Sequence, residues 1–228
     1  MQRIPTPNSD WQPGQPTPSP VSEMVSIEIA KLDQLSIYKL ITGSIVPRPI
    51  AFITTLNSNG TINAAPFSFF NGVASNPPSL MVSISYKRDG SKKDTLLNIE
   101  RQGEFVVNTV SEWLAQPMNQ TAAEYPYGVS ELSAVGLSVV DSLVVKPPRI
   151  KESPIHFECK LLEITRIGGE QSGASSVVFG QIVHCHIHKA AYTDGKIIPE
   201  QIKPLARLGG ASYSNLGDIF DIKRPEAP

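Results

Sequence analysis

Two long alternating runs, Ile155 to Ile167 and Ser176 to Lys189, joined by Gly168-Gly169-Glu170-Gln171-Ser172-Gly173, constrain the fold more than any other feature of this chain. Side chains that repeat every second residue belong to strands whose two faces meet different surroundings, so the pair is expected to form a long antiparallel hairpin. Shorter strand signals precede it. Ile50 to Leu56 is rich in β-branched and aromatic residues, Asn57-Ser58-Asn59-Gly60 supplies a turn that tolerates positive φ, and Thr61 to Ala65 returns as the partner strand. Leu80 to Tyr86 alternates large apolar with small polar side chains, which predicts Val82, Ile84 and Tyr86 in the core and Ser83 and Ser85 on a face open to a ligand. Asp94 is expected to cap a helix carrying Leu96, Leu97 and Ile99, with Gly103 as its stop. A strand over 104–110 follows, and then a helical region from Ser111 to about Ala123 that Pro117 should break or divide in two. Many strands, a few short helices and no recurring strand-helix alternation predict a mainly β protein built on an antiparallel barrel. No Gly-x-Gly-x-x-Gly occurs, so a Rossmann-type dinucleotide domain has no support.

A chain of 228 residues can bury a sizeable core in one domain. The net charge of -1 and 18% charged residues offer no basic excess for nucleic acid and no polybasic run for a membrane surface, which favours small-molecule partners. Neither a secretory signal core near Met1 nor a stretch long enough to span a bilayer is visible, so a cytoplasmic protein is expected. Cys159 and Cys185 lie in expected strands without a Cys-x-x-Cys spacing and read as reduced, half-buried core thiols. Six of the 20 prolines fall between Pro5 and Pro20. Residues 1–22 are therefore expected to form an extended polyproline-like or disordered tail ahead of a domain over 23–228, read as an unstructured extension in preference to a strap across a partner subunit, with Trp11 able to dock on the domain surface.

Four ordered pieces lie within about fifty residues: Val46-Pro47-Arg48-Pro49-Ile50-Ala51-Phe52-Ile53-Thr54-Thr55, Ala65-Pro66-Phe67-Ser68-Phe69-Phe70, Asn76-Pro77-Pro78 and Lys93-Asp94-Thr95. Glu104-Phe105-Val106-Val107-Asn108, Phe179-Gly180-Gln181-Ile182-Val183-His184 and Leu205-Ala206-Arg207-Leu208-Gly209-Gly210 continue the series, which spans about Ser36 to Pro225. In this order the pieces resemble the flavin-reductase-like, FMN-binding split-barrel family. The resemblance implies a split β-barrel with a few short helices, a bound FMN, NAD(P)H as co-substrate and a homodimer with the flavin in a cleft near the subunit interface.

FMN needs cationic and hydrogen-bonding donors for its phosphate and a flat apolar bed for its ring. Lys93 can supply a charge, Thr95 a hydroxyl, and the helix starting at Asp94 its backbone N–H groups, with Asp94 itself expected to cap rather than to touch phosphate. Arg48, stiffened by Pro47 and Pro49, suits bidentate recognition of phosphate or of a flavin carbonyl. Ile50, Ala51 and Thr54 extend from it, Thr54 as a weaker candidate on the face of Ile50 and Phe52. In Ala65-Pro66-Phe67-Ser68, a small residue admits a ring and the Phe67 and Ser68 N–H groups can reach its edge, while at least one of Phe67, Phe69 and Phe70 should pack internally. The resemblance carries Ser83 and Ser85 over as neighbours of the ribityl chain and phosphate, with Arg88 in the adjoining loop. No side chain is assigned as general acid, base or nucleophile, since the flavin carries the chemistry. Arg207 and Tyr213 are expected either to shape the nicotinamide or acceptor side or to pack a dimer.

His184, His186 and His188 alternate and should share one strand face. They are read as a polar outer face in preference to a metal site, because no acidic or further cysteine ligand is visible nearby. Three alternatives to a bound-cofactor oxidoreductase stay open: a reductase that releases its flavin to a monooxygenase, a non-catalytic flavin or electron carrier, and a metal-binding barrel using the histidine face.

Overall fold

A computed structural model describes residues 4–123, 125–169 and 171–225. The first three residues of the expected tail, the last three of the chain and Glu170 of the expected hairpin turn lie outside the described residues. The helices are α1 (Gln34–Ser44), α2 (Asp94–Gln102), α3 (Ala115–Gln120), α4 (Glu131–Val135) and α5 (Pro199–Ile202). The early strands are β1 (Arg48–Pro49), β2 (Ala51–Leu56), β3 (Ile62–Phe67), β4 (Phe70–Ser75), β5 (Pro78–Ser85) and β6 (Glu104–Thr109). After them come β7 (Val139–Val140), β8 (Arg149–Ile150), the long β9 (Ile155–Ile167) and β10 (Ser175–Ile187), then β11 (Tyr192–Thr193), β12 (Lys196–Ile197), β13 (Leu205–Arg207) and β14 (Tyr213–Asn215).

The main sheet has seven strands in the order β3-β2-β6-β9-β10-β5-β4 and every pairing in it is antiparallel. This is the mainly β split barrel that the motifs imply. The β9–β10 hairpin lies centrally, with β9 pairing outward to β6 and β10 outward to β5. Gly180 sits at a register shift in β10, where a Cβ would come within 2.4 Å of the Phe105 ring, so the missing side chain is what lets Phe105 fill the barrel. β3 runs two residues beyond its expected end, through Pro66 to Phe67, and Pro66 is tolerated because β3 is an edge strand.

Residues alternate between two cores. Ala51, Ile53, Val82, Ile84, Tyr86, Phe105, Val107 and Cys159 fill the barrel, while Ile50, Phe52, Ala64, Leu114, Met118 and Ile150 pack under α3 and α4 on the opposite face. α2 ends at Gly103 as expected, but it begins one residue early: Lys93 is the N-cap and Asp94 is its first helical residue, its carboxylate paired with Lys87 Nζ at 3.1 Å. The region after β6 divides into a 3-10 turn over Glu112–Leu114 and α3, with the division ahead of Pro117. Pro117 lies in the first turn of α3, where a missing N–H costs no helical bond. Both cysteines are free, yet Cys159 is fully buried and Cys185 exposed, because neighbouring strands put them on faces of opposite character. Residues 11–31 are almost wholly exposed, and the tail meets the C-terminal segment through Ile4 N to Ile219 O at 3.0 Å and Thr6 Oγ1 to Asp221 O at 2.9 Å. Trp11 stays exposed, its indole N–H bonded to Gln15 O within its own turn.

The histidine face differs from expectation in two ways. β10 ends at Ile187, so His188 leaves the strand and accepts a hydrogen bond from Ala190 N. An acidic neighbour also exists: Glu158, fully buried on β9, lies 2.6 Å from His186 Nε2, and the His184 and His186 ring centroids are 4.6 Å apart. Glu158 is saturated by the Leu143, Val144 and Val145 N–H groups as well, and no group of three or more ligating side chains among the described residues is placed to hold a metal ion. Burial alone would raise the Glu158 pKa. The Leu143 N–H, His186 and the next two N–H groups outweigh it and hold the carboxyl at about 2. His156 on the same face donates from Nε2 to Ile150 O, and burial pushes its pKa from 6.5 down to about 4.

Both shifts make acid destabilising. The unfolded chain protonates His156 below 6.5 and Glu158 below 4.5, whereas the folded chain takes up those protons only near 4 and 2. Thermal melts from neutral to acid pH are expected to show stability falling in two stages across those windows. His156→Gln should flatten the first stage and leave the second; an unaltered first stage would assign it to other groups.

Candidate functional site

Two adjoining cavities open beside the β3 end and the α2 start, sharing Pro66, Phe67 and Lys93 as a common wall. The larger, about 600 Å³, is framed by Asn63 and Ala65 of β3, the loop 86–89, the first residues of α2, Thr121, Ala122, Ala123, Tyr125 and Pro126 after α3, and Glu131. The smaller, about 140 Å³, takes Tyr38 from α1, Ser68 and Phe69 from the β3–β4 connection, and Ser83 and Ser85 from β5. Strand alternation explains the last pair: with Val82 and Ile84 locked in the barrel, the intervening serines must face outward.

Ten of the residues singled out in the sequence therefore meet around these cavities: Ala65, Pro66, Phe67, Arg88, Lys93, Asp94 and Thr95 at the larger, and Ser68, Ser83 and Ser85 at the smaller. Phe67 serves two ends, packing into the barrel core and walling both cavities, while Phe70 packs against the core and Phe69 lines the smaller cavity. The Lys93 ammonium lies 5.5 Å from the Phe67 ring centroid. No side chain of the Lys93 N-cap closes the start of α2, so the first-turn N–H groups beside Thr95 keep the anion-binding character of a helix N-terminus.

Thr95 has a defined polarity. Asn63 Nδ2 donates to its Oγ1 at 2.9 Å, so the hydroxyl accepts from Asn63 and retains its own hydrogen for a cavity occupant. The same Asn63 amide donates to Thr55 Oγ1 at 3.1 Å, and Thr55 also accepts from Asn98 Nδ2 at 3.0 Å. Charges around the larger cavity are sorted by position. Lys87 is matched by Asp94, the Asp89 carboxylate is turned onto Ser91, whose hydroxyl and N–H lower its pKa, and Lys93 and Arg88 also line the cavity. Glu131 accepts from Ala64 N at 2.9 Å on the open edge of β3, and burial raises its pKa. A cavity with cations beside an open helix N-terminus, a donor hydroxyl and an apolar Ala65-Pro66-Phe67 wall fits a ligand that joins an anionic group to a flat apolar ring.

The other five candidates lie elsewhere. Ala51 is in the barrel core, Ile50 in the second core, and Pro49 is exposed on β1. Thr54 is fully buried, its hydroxyl bonded to Pro148 O at 2.6 Å. Arg48 is 5% exposed and turns inward: Nη1 donates to Thr42 O at 2.5 Å and Ile45 O at 2.7 Å, Nη2 to Leu208 O at 3.0 Å, and Nε to Ser68 Oγ at 3.3 Å. Its fork thus ties the end of α1 and the segment after β13 to the cavity rim, where it meets two residues of the smaller cavity: Ser68 through the hydrogen bond and Phe69, whose ring centroid lies 5.9 Å from Arg48 Cζ. Arg207 stacks over Tyr213 at 4.4 Å and bonds Ser212 O, and the Tyr213 hydroxyl donates to Asn119 Oδ1. Sequence reading passed over Asn63, Tyr125, Glu131 and Tyr38. The position of Asn63 beside Ala65 on one strand face was a usable signal, whereas Glu131 and Tyr38 come from helices that only the packing brings to the rim.

Comparison with known proteins agrees with this geometry. Residues 42–205 match a family described as Flavin reductase like domain. The uncharacterized protein YwrF of Bacillus subtilis (strain 168) is 41% identical over 203 residues, covering 86% of this chain and 98% of that protein. Nitrilotriacetate monooxygenase component B from Bacillus cereus superposes with a TM-score of 0.85 at 39% identity, covering 89% of this chain and all of that one (100%). The Pseudomonas fluorescens 2-nitrobenzoate 2-nitroreductase NbaA superposes with a TM-score of 0.79 at 35% identity, covering 88% and 96%.

Arg48→Ala leaves three backbone carbonyls without their donor and is expected to lower stability by about 3 kcal/mol, the scale of unsatisfied buried acceptors. Denaturant melts read this directly. Arg48→Lys should rescue little of it, because one ammonium cannot span the same acceptors; a fully stable Arg48→Ala protein would remove the clamp.

Proposed function

Because the chain belongs to the flavin reductase-like family, we propose that it is an FMN-binding oxidoreductase that passes electrons from NAD(P)H through the flavin to an acceptor. The working unit is the domain over 23–228, with the proline-rich 1–22 as an appended tail. The observation that carries the reading is the paired cavity, in which Lys93, Arg88 and the α2 start stand beside the Ala65-Pro66-Phe67 wall. Lys93, Thr95 and the first-turn N–H groups hold the phosphate, Ser83 and Ser85 border the ribityl chain, and Ala65 to Ser68 form the bed of the ring. When bound, FMN accepts a hydride and returns electrons one or two at a time. The protein's task is to hold the ring against its bed and to keep cationic groups at one end, so that phosphate and ring are not exchanged.

A homodimer is favoured by α1. Leu35, Tyr38, Ile41 and Ile45 repeat at helical spacing and are all exposed, an apolar stripe where a monomer would show charge. Tyr38 also borders the smaller cavity, so a second copy on this stripe would complete the site. Free thiols at Cys159 and Cys185 are in keeping with a reducing cytoplasm.

A second reading concerns the fate of the flavin. One structural relative is a monooxygenase component and another a nitroreductase. Release of reduced FMN to a partner enzyme and direct reduction of a small acceptor are therefore both chemistries to test.

The visible spectrum of the purified protein, with and without added FMN, is expected to show bound flavin, and NADH or NADPH oxidation should depend on it. Lys93→Ala should weaken FMN binding by about 1–3 kcal/mol, the range for a charge-assisted contact. No flavin binding at excess FMN would overturn the reading; binding without nicotinamide oxidation by any common acceptor would leave a carrier. Ile41→Glu is expected to convert a dimer to monomers in light scattering, and an undisturbed dimer would move the interface off α1.

A further inference from the structure

Residues 121–130 run from α3 to α4 and supply Thr121, Ala122, Ala123, Tyr125 and Pro126 to the larger cavity. What fastens this wall lies just outside the cavity. Tyr127 Oη accepts hydrogen bonds from Ser58 N and Arg101 Nη1, both at 3.1 Å, and donates to Ser58 Oγ at 3.2 Å. One residue on, Gly128 O accepts from Thr61 Oγ1 at 2.9 Å and Asn59 Nδ2 at 3.3 Å. Gly128 has a φ of +87°, a backbone conformation that calls for glycine.

The anchor is continuous with the opposite wall. Arg101 Nη2 donates to Asn98 Oδ1 at 3.1 Å, Asn98 Nδ2 to Thr55 Oγ1 at 3.0 Å, and Asn63 Nδ2 bridges Thr55 Oγ1 to Thr95 Oγ1. A single hydrogen-bonded chain therefore joins the fastening of the 121–128 wall to the hydroxyl that faces the ligand.

We propose that Tyr127 is a positioning residue for the ligand site: with Gly128 it clamps the 121–128 wall to the Asn57–Gly60 turn and to Arg101, and thereby sets how long flavin stays bound. The inference rests on the flavin reading of the cavity. Tyr127 does not line the cavity, so its influence passes through Tyr125 and Pro126. Loosening a wall speeds escape more than it slows encounter, so the effect belongs to the dissociation rate.

Tyr127→Phe keeps the ring and deletes the hydrogen bonds of the phenol oxygen. Stopped-flow binding of FMN to the full-length protein is expected to show dissociation roughly ten-fold faster, as loss of one such contact set implies. The association rate and kcat at saturating flavin should be unchanged. Hydrogen exchange should quicken in peptides covering 121–130 and in the Asn57–Gly60 turn, whose Ser58 N–H loses its acceptor, and nowhere else. Asn59→Ala, which loosens Gly128 from the other side, should act in the same direction and provides the test if Tyr127→Phe folds poorly. Unchanged dissociation in both variants, with wild-type protein binding FMN, overturns the role of Tyr127 and leaves the flavin reading standing. A wild-type protein that binds no FMN overturns both.

Discussion

β2 is buried on both of its faces, and much of the structure follows from that constraint. Ala51 and Ile53 close one core while Ile50, at its threshold, and Phe52 close the other, so the strand is the partition between barrel and helical layer. A strand so placed cannot expose a polar group to water, and each one it carries must find a protein partner. Thr54 therefore takes Pro148 O, and Thr55 takes Asn63 and Asn98. Satisfying Thr55 brings Asn63 of β3 and Asn98 of α2 together at β2, and Asn63 in turn sets the direction in which Thr95 can donate. The donor at the cavity and the packing of the barrel are consequences of one buried strand.

The same demand explains Arg48. Its flanking prolines and planar fork suit bidentate recognition of oxygen, and oxygen is what it recognises, but the oxygens are the carbonyls at the end of α1 and after β13. Helix ends leave carbonyls without intrahelical donors, and a buried guanidinium satisfies several at once. The residue type indicated the chemistry; of the carbonyls it binds, those of Thr42 and Ile45 are close in the chain, while that of Leu208 is 160 residues further along. The rim of the smaller cavity is thus held from behind by a cation that the ligand need not touch.

The proposed site itself divides along similar lines. Lys93, Thr95, Ala65 to Ser68, Ser83 and Ser85 were legible because each is fixed by local rules: a helix start, a strand end, an alternating strand. Asp94 fell one position from its expected role, a shift within the usual uncertainty of helix boundaries, yet enough to exchange a cap for an ion pair with Lys87. The wall over 121–126 left no comparable signal. Its composition is that of an ordinary loop, and its function in the architecture comes from Tyr127 and Gly128 meeting a turn almost seventy residues earlier, between Asn57 and Gly60.

The amino-acid order by itself determined β2, β3, β5, β6, the central hairpin and the serine face of β5, and placed α2 to within one residue, because period, turn chemistry and helix punctuation act over a few residues and need no distant partner. Ordered motifs along the chain were also enough to point to a flavin-reductase-like barrel, now borne out by the seven-stranded sheet and the family match. Tertiary structure alone decided which polar side chains face the cavity and which face the protein. Glu131 and Tyr38 reach the rim from helices whose placement depends on packing, Glu158 meets His186 through strand register, and Arg48 turns inward to serve distant carbonyls. A local pattern states what a residue can bond; only the closed barrel sets which partner lies within reach.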